Sequence, residues 1–297
     1  MPALVHRRAT LSLPSHAEPP SMTRHQTAVI ARTRPFALAA SSLIAAASPV
    51  AANVTGYLLD MQVPDSIALL PTPPAAGTVT AALDAQVSDE ALALRGTERF
   101  AQASRDADDS FPKGPVQPGA NQFSCTLGID VDAARTPTVL SLLQRSRRDA
   151  SAAARAAKNQ YLRPRPYVVN AKPTCTPEEE DKKRETGSYP SSHGIAGWAW
   201  ALILAEVAPQ RADAIFARGR SYAESRLVCN MHWHSDIVQA RFLGAALVSR
   251  LHENPEFQAD LLAAKREIAA ARASGQRSSR DCVAEEAVLR VRPQSAL

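Results

Sequence analysis

The sequence predicts an all-α fold: one domain, a helical bundle of six or more helices, preceded by a cleavable signal peptide. Three observations carry this. No stretch alternates apolar and polar residues as a half-buried strand would. Helical patterns of Ala, Leu and charged residues recur from Thr78 onward. The segment Ser192–Ala208 is apolar nearly all round, as a helix at the centre of a core must be.

Taken in order, the chain opens on a segment that does not read as fold. From Met22 a basic stretch, "MTRHQTAVIARTR", runs into an apolar one, "PFALAASSLIAAASPVAA". This is the pattern of a secretory signal, with Val50 and Ala52 at the −3 and −1 positions of a cut before Asn53. Met22 is read as the start of that signal, since residues 1–21 add nothing to it. The whole chain has 34 Lys and Arg against 29 Asp and Glu. Residues 1–52 hold five Arg and one Glu, so the remainder keeps 29 basic and 28 acidic residues. The basic balance belongs largely to the signal, and nucleic acid is not expected as a partner.

Residues 53–77 are proline-rich and are expected as an extended surface arm. Helical patterns follow over Thr78–Ser110. Thr136-Pro137 is a helix start, with a capping hydroxyl and a proline in the first turn of a helix running to about Lys158. Residues 162–190 read as loop with a solvated, charged middle. Helices are then expected over Ser192–Ala208, Gln210–Ser225, Asp236–Leu251 and Pro255–Ala273, followed by a loosely ordered tail, residues 275–297. The longest apolar run, Ile195–Ala205, is too short for the ~18–20 residues of a membrane span. Four cysteines, Cys125, Cys175, Cys229 and Cys282, allow three complete pairings, among which spacing does not choose. Cys229 reads as a small buried side chain.

Chemistry-bearing residues gather in three places. "GSYPSSHG", residues 187–194, puts hydroxyls and His193 at the entrance of the apolar helix. A plain N-cap accounts for that pattern; so does an anion site, because free N–H groups and the helix dipole favour negative charge there. "KNQYLRPRP", residues 158–166, holds Lys158 and, stiffened by prolines, Arg163 and Arg165. "SRLVCNMHWHSD", residues 225–236, holds Arg226, His232, His234 and Asp236. Zinc on the His-x-His pair has no completing cluster of ligands, and no metal is expected. Together, Lys158, Arg165 and Arg226, a helix N-terminus, two histidines and a carboxylate describe a pocket for a phosphate dianion flanked by proton-handling groups.

These residues resemble the phosphatidic acid phosphatase type 2/vanadium haloperoxidase superfamily, and within it the secreted class A bacterial non-specific acid phosphatases. Its pattern is K-x6-RP, PSGH and SR-x5-H-x3-D. Here Lys158 is followed after six residues by Arg165-Pro166, then Pro190-Ser191-Ser192-His193, then Ser225-Arg226, His232 and Asp236. The flanks "VPDSIALLPTPPAAG" and "HWHSDIVQARFLGAA" resemble class A sequences too, so the likeness spans most of residues 57–260. Residues 53–274 are therefore expected to form an acid phosphatase domain.

The resemblance implies that His232 is a nucleophile that becomes phosphohistidine, that Asp236 fixes its tautomer, and that His193 is the general acid. Lys158, Arg165, Arg226, Ser191 and Ser192 would bind phosphate. His232 has the family's distances to Arg226 and Asp236, whereas His234 does not and is expected at the pocket rim or in a structural role. The family's glycine is replaced by Ser192, which is harmless if that position is the first residue of a helix and costs on the order of 1–2 kcal/mol if it needs a positive φ.

The expected activity is hydrolysis of small phosphomonoesters at acid pH, with no cofactor, by a periplasmic or secreted protein free of the membrane after signal cleavage. A homodimer is a family expectation. A vanadium-dependent haloperoxidase, a lipid phosphatase and a phosphate-binding protein with impaired catalysis are the rival readings.

Overall fold

A computed structural model of the chain describes residues 54–112 and 117–296. The predicted signal peptide lies outside the described residues. Eight helices of eight residues or more carry the described part: α1 (Val79–Leu92), α2 (Glu98–Ala107), α3 (Pro137–Tyr161), α4 (Ser192–Val207), α5 (Ala212–Val228), α6 (His234–Leu251), α7 (Pro255–Ala273) and α8 (Cys282–Leu289). Single turns of helix lie at Ser66–Leu69, Pro118–Asn121, Ser124–Leu127, Pro166–Asn170 and Glu180–Arg184. No strand occurs among the described residues, and no helix there is long and apolar enough to cross a membrane.

Helix α4 is the axis of the bundle, with α3, α5, α6 and α7 packed around it. Its sequence explains this, because nearly every side chain from His193 to Val207 is buried. Trp200 is wholly enclosed and its Nε1–H donates to the Leu143 carbonyl at 3.0 Å, so the indole carries no unpaired polar atom into the core. Gly197 is required by packing: a Cβ there would lie 2.2 Å from the Tyr222 ring. That close approach seats Tyr222 of α5 against α4, and Tyr222 in turn supports His193.

Several local expectations are corrected. Thr136 does not cap α3; its hydroxyl bonds the backbone of Asp132. The free amides of Thr138 and Val139 are taken instead by the Glu267 carboxylate of α7, at 2.9 and 3.0 Å. The region 162–190 is not plain loop, since it holds two helical turns. The arm over residues 54–77, by contrast, is irregular apart from Ser66–Leu69, as expected, and it is held to the bundle: Tyr57 and Leu58 donate their amides to Asp149 at 2.9 and 3.2 Å, and the Tyr57 hydroxyl donates to Asp260 at 2.6 Å.

The tail is not loosely ordered. A disulfide joins Cys125 to Cys282 at the start of α8, Asp281 caps that helix through the Ala284 amide, and Arg280 pairs with Glu285 at 2.6 Å. Beyond it, Val291 accepts from Arg99 at 3.0 Å, and Ser295 bonds Glu90 at 2.6 Å. The second disulfide, Cys175–Cys229, makes Cys229 a crosslink rather than a lone buried thiol.

Candidate active site

The end of α5 and the start of α6 build the centre of the site. The carbonyl of Arg226 accepts from both Met231 and His232, at 3.1 and 3.2 Å, so the chain folds back on itself. Asn230 adopts φ 58° to allow this, a conformation asparagine tolerates better than most residues. Its amide is clamped by Asn170 at 2.9 Å and by the Lys172 carbonyl at 2.7 Å. The reversal brings the Arg226 side chain and the His232 ring into one pocket.

Helix α6 begins at His234, two residues before the predicted start, so His232 itself is not helical. Asp236 meets it by folding back over the helix N-terminus. Its Oδ2 accepts from the Trp233 amide at 2.9 Å and lies 3.3 Å from His232 Nδ1. A carboxylate accepts only, so Nδ1 carries the proton and the lone pair resides on Nε2. That Nε2 lies 3.2 Å from a terminal nitrogen of Arg165. His234 is buried at the first residue of α6.

Asp236 is held in turn by Arg163, which the sequence reading left without a role. One terminal nitrogen of Arg163 donates to Asp236 Oδ1 at 2.6 Å and to the Ser235 hydroxyl at 2.7 Å; the other donates to Asp84 at 2.7 Å. Asp84, on α1, also takes the Ser235 amide at 2.7 Å. Arg163 stands two residues before Arg165 of the matched RP pair and is followed by Pro164, which was its only sequence signal. Asp84 gave none beyond being an acid on an otherwise apolar helix face.

Three cations face His232. Arg165 is splayed by carbonyls of Lys183, Met231 and Gly187, at 3.1, 3.3 and 3.3 Å. Lys158 reaches the Gly187 and Ser188 carbonyls at 2.7 and 3.3 Å, which leaves one N–H of the ammonium for another acceptor. Gly187 permits this approach, since a Cβ there would stand 2.4 Å from the Lys158 carbonyl oxygen. Arg226 is buried, and its Nε has no hydrogen-bond partner among the described residues. Burial drives the Lys158 pKa well below the usual ammonium value, and Arg165 pushes the same way. A dianion placed among these groups restores their charge. Lys183, expected on a solvated surface, is half-buried; burial, and after it Arg165 and Arg226, depress its pKa.

His193 begins the second half of the site. Ser191 caps α4 through the Gly194 amide at 3.0 Å, Ser192 is the first helical residue and has no positive φ, and His193 follows. The serine therefore sits where it is conformationally harmless. His193 stacks on Tyr222 with ring centroids 4.5 Å apart. Its Nε2 lies 2.8 Å from the Asp106 carbonyl and its Nδ1 3.1 Å from Asp109. Both partners are acceptors, a pairing suited to an imidazolium. Asp106 is itself fixed by Arg218, at 2.6 and 3.1 Å, and by Ser225 at 2.6 Å. Asp109 and Asp106 were missed in sequence; the acidic run "DADD" near the end of α2 was their only trace.

Both imidazoles are pushed below the usual value. Burial is the largest influence on each. His232 is driven well below the usual imidazole value by burial and then by Arg165, Lys158, Arg226 and His193. His193 is lowered by burial and Arg226, while the Asp109 carboxylate opposes them. Among the described residues, no group of three or more His, Cys, Asp or Glu is arranged to hold a metal ion.

The family model of the PAP2 superfamily matches residues 149–256, a span that runs from before Lys158 to beyond Asp236. A non-specific acid phosphatase of Providencia stuartii is 40% identical over 235 residues, covering 77% of this chain and 93% of that protein. An acid phosphatase of Zymomonas mobilis is 33% identical, over 71% of this chain and 78% of its own length. A non-specific acid phosphatase of Salmonella typhimurium is 35% identical, over 67% of this chain and 78% of its own length. With its matched span enclosing the histidine and arginine pocket, the chain belongs to the PAP2 superfamily, in the branch of the non-specific acid phosphatases.

Proposed function

We propose that this phosphomonoesterase works by a two-step, metal-independent route through a phosphohistidine at His232, and that it does so outside the cytoplasm. One observation carries the mechanism: His232 has its Nδ1 turned to Asp236 and its Nε2 turned into the ring of Lys158, Arg165 and Arg226.

In the first step the three cations bind the non-bridging oxygens, joined by the Ser191 hydroxyl and the amides of Ser192 and His193 at the start of α4. The Nε2 lone pair attacks phosphorus as the bond to the alcohol oxygen breaks, and the proton of His193 passes to that oxygen. In the second step neutral His193 takes a proton from water, whose oxygen attacks phosphorus; the P–N bond breaks and inorganic phosphate leaves. Asp236 balances the charge on the His232 ring while it carries the phosphoryl group. The fixed guanidinium and ammonium groups supply the charge stabilisation that phosphoryl transfer chiefly requires. Export is supported by two disulfides, which persist in oxidising compartments.

The test is a rapid quench with a ³²P-labelled phosphomonoester into alkali, where a phosphohistidine persists. Label on His232 during turnover, with activity unchanged by EDTA, is the expected result. Full turnover by a His232→Ala variant, or activity lost to EDTA and restored by zinc, would sink the mechanism. Cell fractionation checks the compartment.

A further inference from the structure

A cleft of about 340 Å³ shares Asp109 with the surroundings of His193. One wall is the loop after α2, with Asp109 and Phe111; the other is a face of α3, with Arg147, Arg148 and Ser151. Asp109 belongs to both places, since it lines the cleft and also meets His193 Nδ1 at 3.1 Å. Arg147 donates to the same carboxylate and to the Ser151 hydroxyl. Arg148 is exposed and makes no hydrogen bond or ion pair among the described residues. The cleft thus holds two guanidinium groups against one carboxylate, and that carboxylate is already shared with His193.

His193 is the group that protonates the departing oxygen under the reading given above, on which this inference rests. Asp109, shared by His193 and the cleft, gives the body of the leaving alcohol a path from His193 along the face of α3. A neutral alcohol would leave Arg148 facing water; an anionic one would be paired. We propose that Arg147 and Arg148 form a leaving-group subsite that selects phosphomonoesters whose alcohol carries a second anionic group, a carboxylate or a second phosphate. Arg147 orients and partly neutralises Asp109, and Arg148 supplies the unpaired charge that meets the ligand.

Two esters that differ by one carboxylate, phenyl phosphate and 4-carboxyphenyl phosphate, test this on the full chain. The quantity read is the ratio of their kcat/KM values, which does not depend on how much of a preparation is folded. Comparing that ratio between variants removes the intrinsic reactivity of the two esters. In Arg148→Glu the ratio should fall about tenfold in favour of phenyl phosphate, and Arg148→Lys should keep most of the native value. Adding 0.5 M salt to the native chain should lower the ratio in the same direction. A ratio unchanged in Arg148→Glu and indifferent to salt overturns the subsite while leaving the hydrolase intact. If the native chain hydrolyses neither ester, the hydrolase reading and the subsite fall together.

Discussion

Arg163 grips Asp236 from the side opposite His232, at 2.6 Å, and binds the buried Asp84 with its other terminal nitrogen at 2.7 Å. The guanidinium thus fixes the carboxylate that fixes the imidazole, and Asp84 on α1 fixes the guanidinium. Lysine offers a point charge without the planar fork and cannot hold both acids in this geometry. Arg163→Lys should lower kcat by about ten- to a hundredfold with KM changed little, as loss of a ligand-orienting partner does elsewhere. Steady-state kinetics checks it; an effect confined to KM would place Arg163 on the substrate instead.

The pH profile follows from the two imidazoles. His232 attacks while neutral, and its strongly lowered pKa keeps it neutral in mild acid. His193 must start protonated, and its pKa is also below the ordinary value, so the alkaline limb of kcat/KM should fall below about pH 6.5. Asp109 is the group that raises the His193 pKa. Asp109→Asn should therefore move that limb further toward acid. A move toward alkali would show that the carboxylate does not support the imidazolium.

Acid should also unfold the chain through Asp106. Despite complete burial, its pKa is lowered by Arg218, Ser225 and Arg99. A carboxyl group held below its unfolded value of about 3.9 stabilises the fold at higher pH, and that contribution fades as pH falls through the folded value. Asp106→Asn takes from Arg218, which is only 2% exposed, its closest counter-charge and leaves it Gln122 and the more distant Glu285. The cost should be about 3–5 kcal/mol, read as a fall in melting temperature on the order of 10 °C. The loss of stability between pH 5 and pH 2 should be smaller in the variant than in the native chain.

The two crosslinks predict different phenotypes. Cys175–Cys229 ties the loop before His193 to the turn that aims Arg226 and His232. Replacing both cysteines by serine should destabilise the chain by about 2–4 kcal/mol and raise KM. Cys125–Cys282 anchors α8, far along the chain from the pocket. Cys282→Ser should make residues 275–296 sensitive to protease while kcat/KM for p-nitrophenyl phosphate stays within about twofold. Equal loss of activity in both variants would contradict this division.

How much could be read beforehand depended on whether a feature is local. The helix Pro255–Ala273 was placed to the residue because Asn254, Pro255 and an apolar face are contiguous. The central helix was legible from its unbroken burial. His193, Arg226, His232 and Asp236 stand out in the sequence because their spacing lies within short segments, and the structure brings them into one pocket. Arg163, Asp84 and Asp109 were not, because each acts through a partner on another element, and single acids and arginines are common on surfaces. Helix α8 escaped notice for the same reason: it is eight residues long, too short to stand alone, and owes its place to Cys125 and Arg280.

Arg99 is 1% exposed and spends its donors on Ser221, Ser225 and, 192 residues onward, Val291. A guanidinium in the first third of the chain is thus complete only when the final segment has been made and has returned to it. A growing or truncated chain lacking that segment would have to shut an unsatisfied donor inside its core or leave α2 undocked. Such distant closure makes for slow folding, and a chain cut short before Val291 should be open to protease along its second helix where the full chain is not.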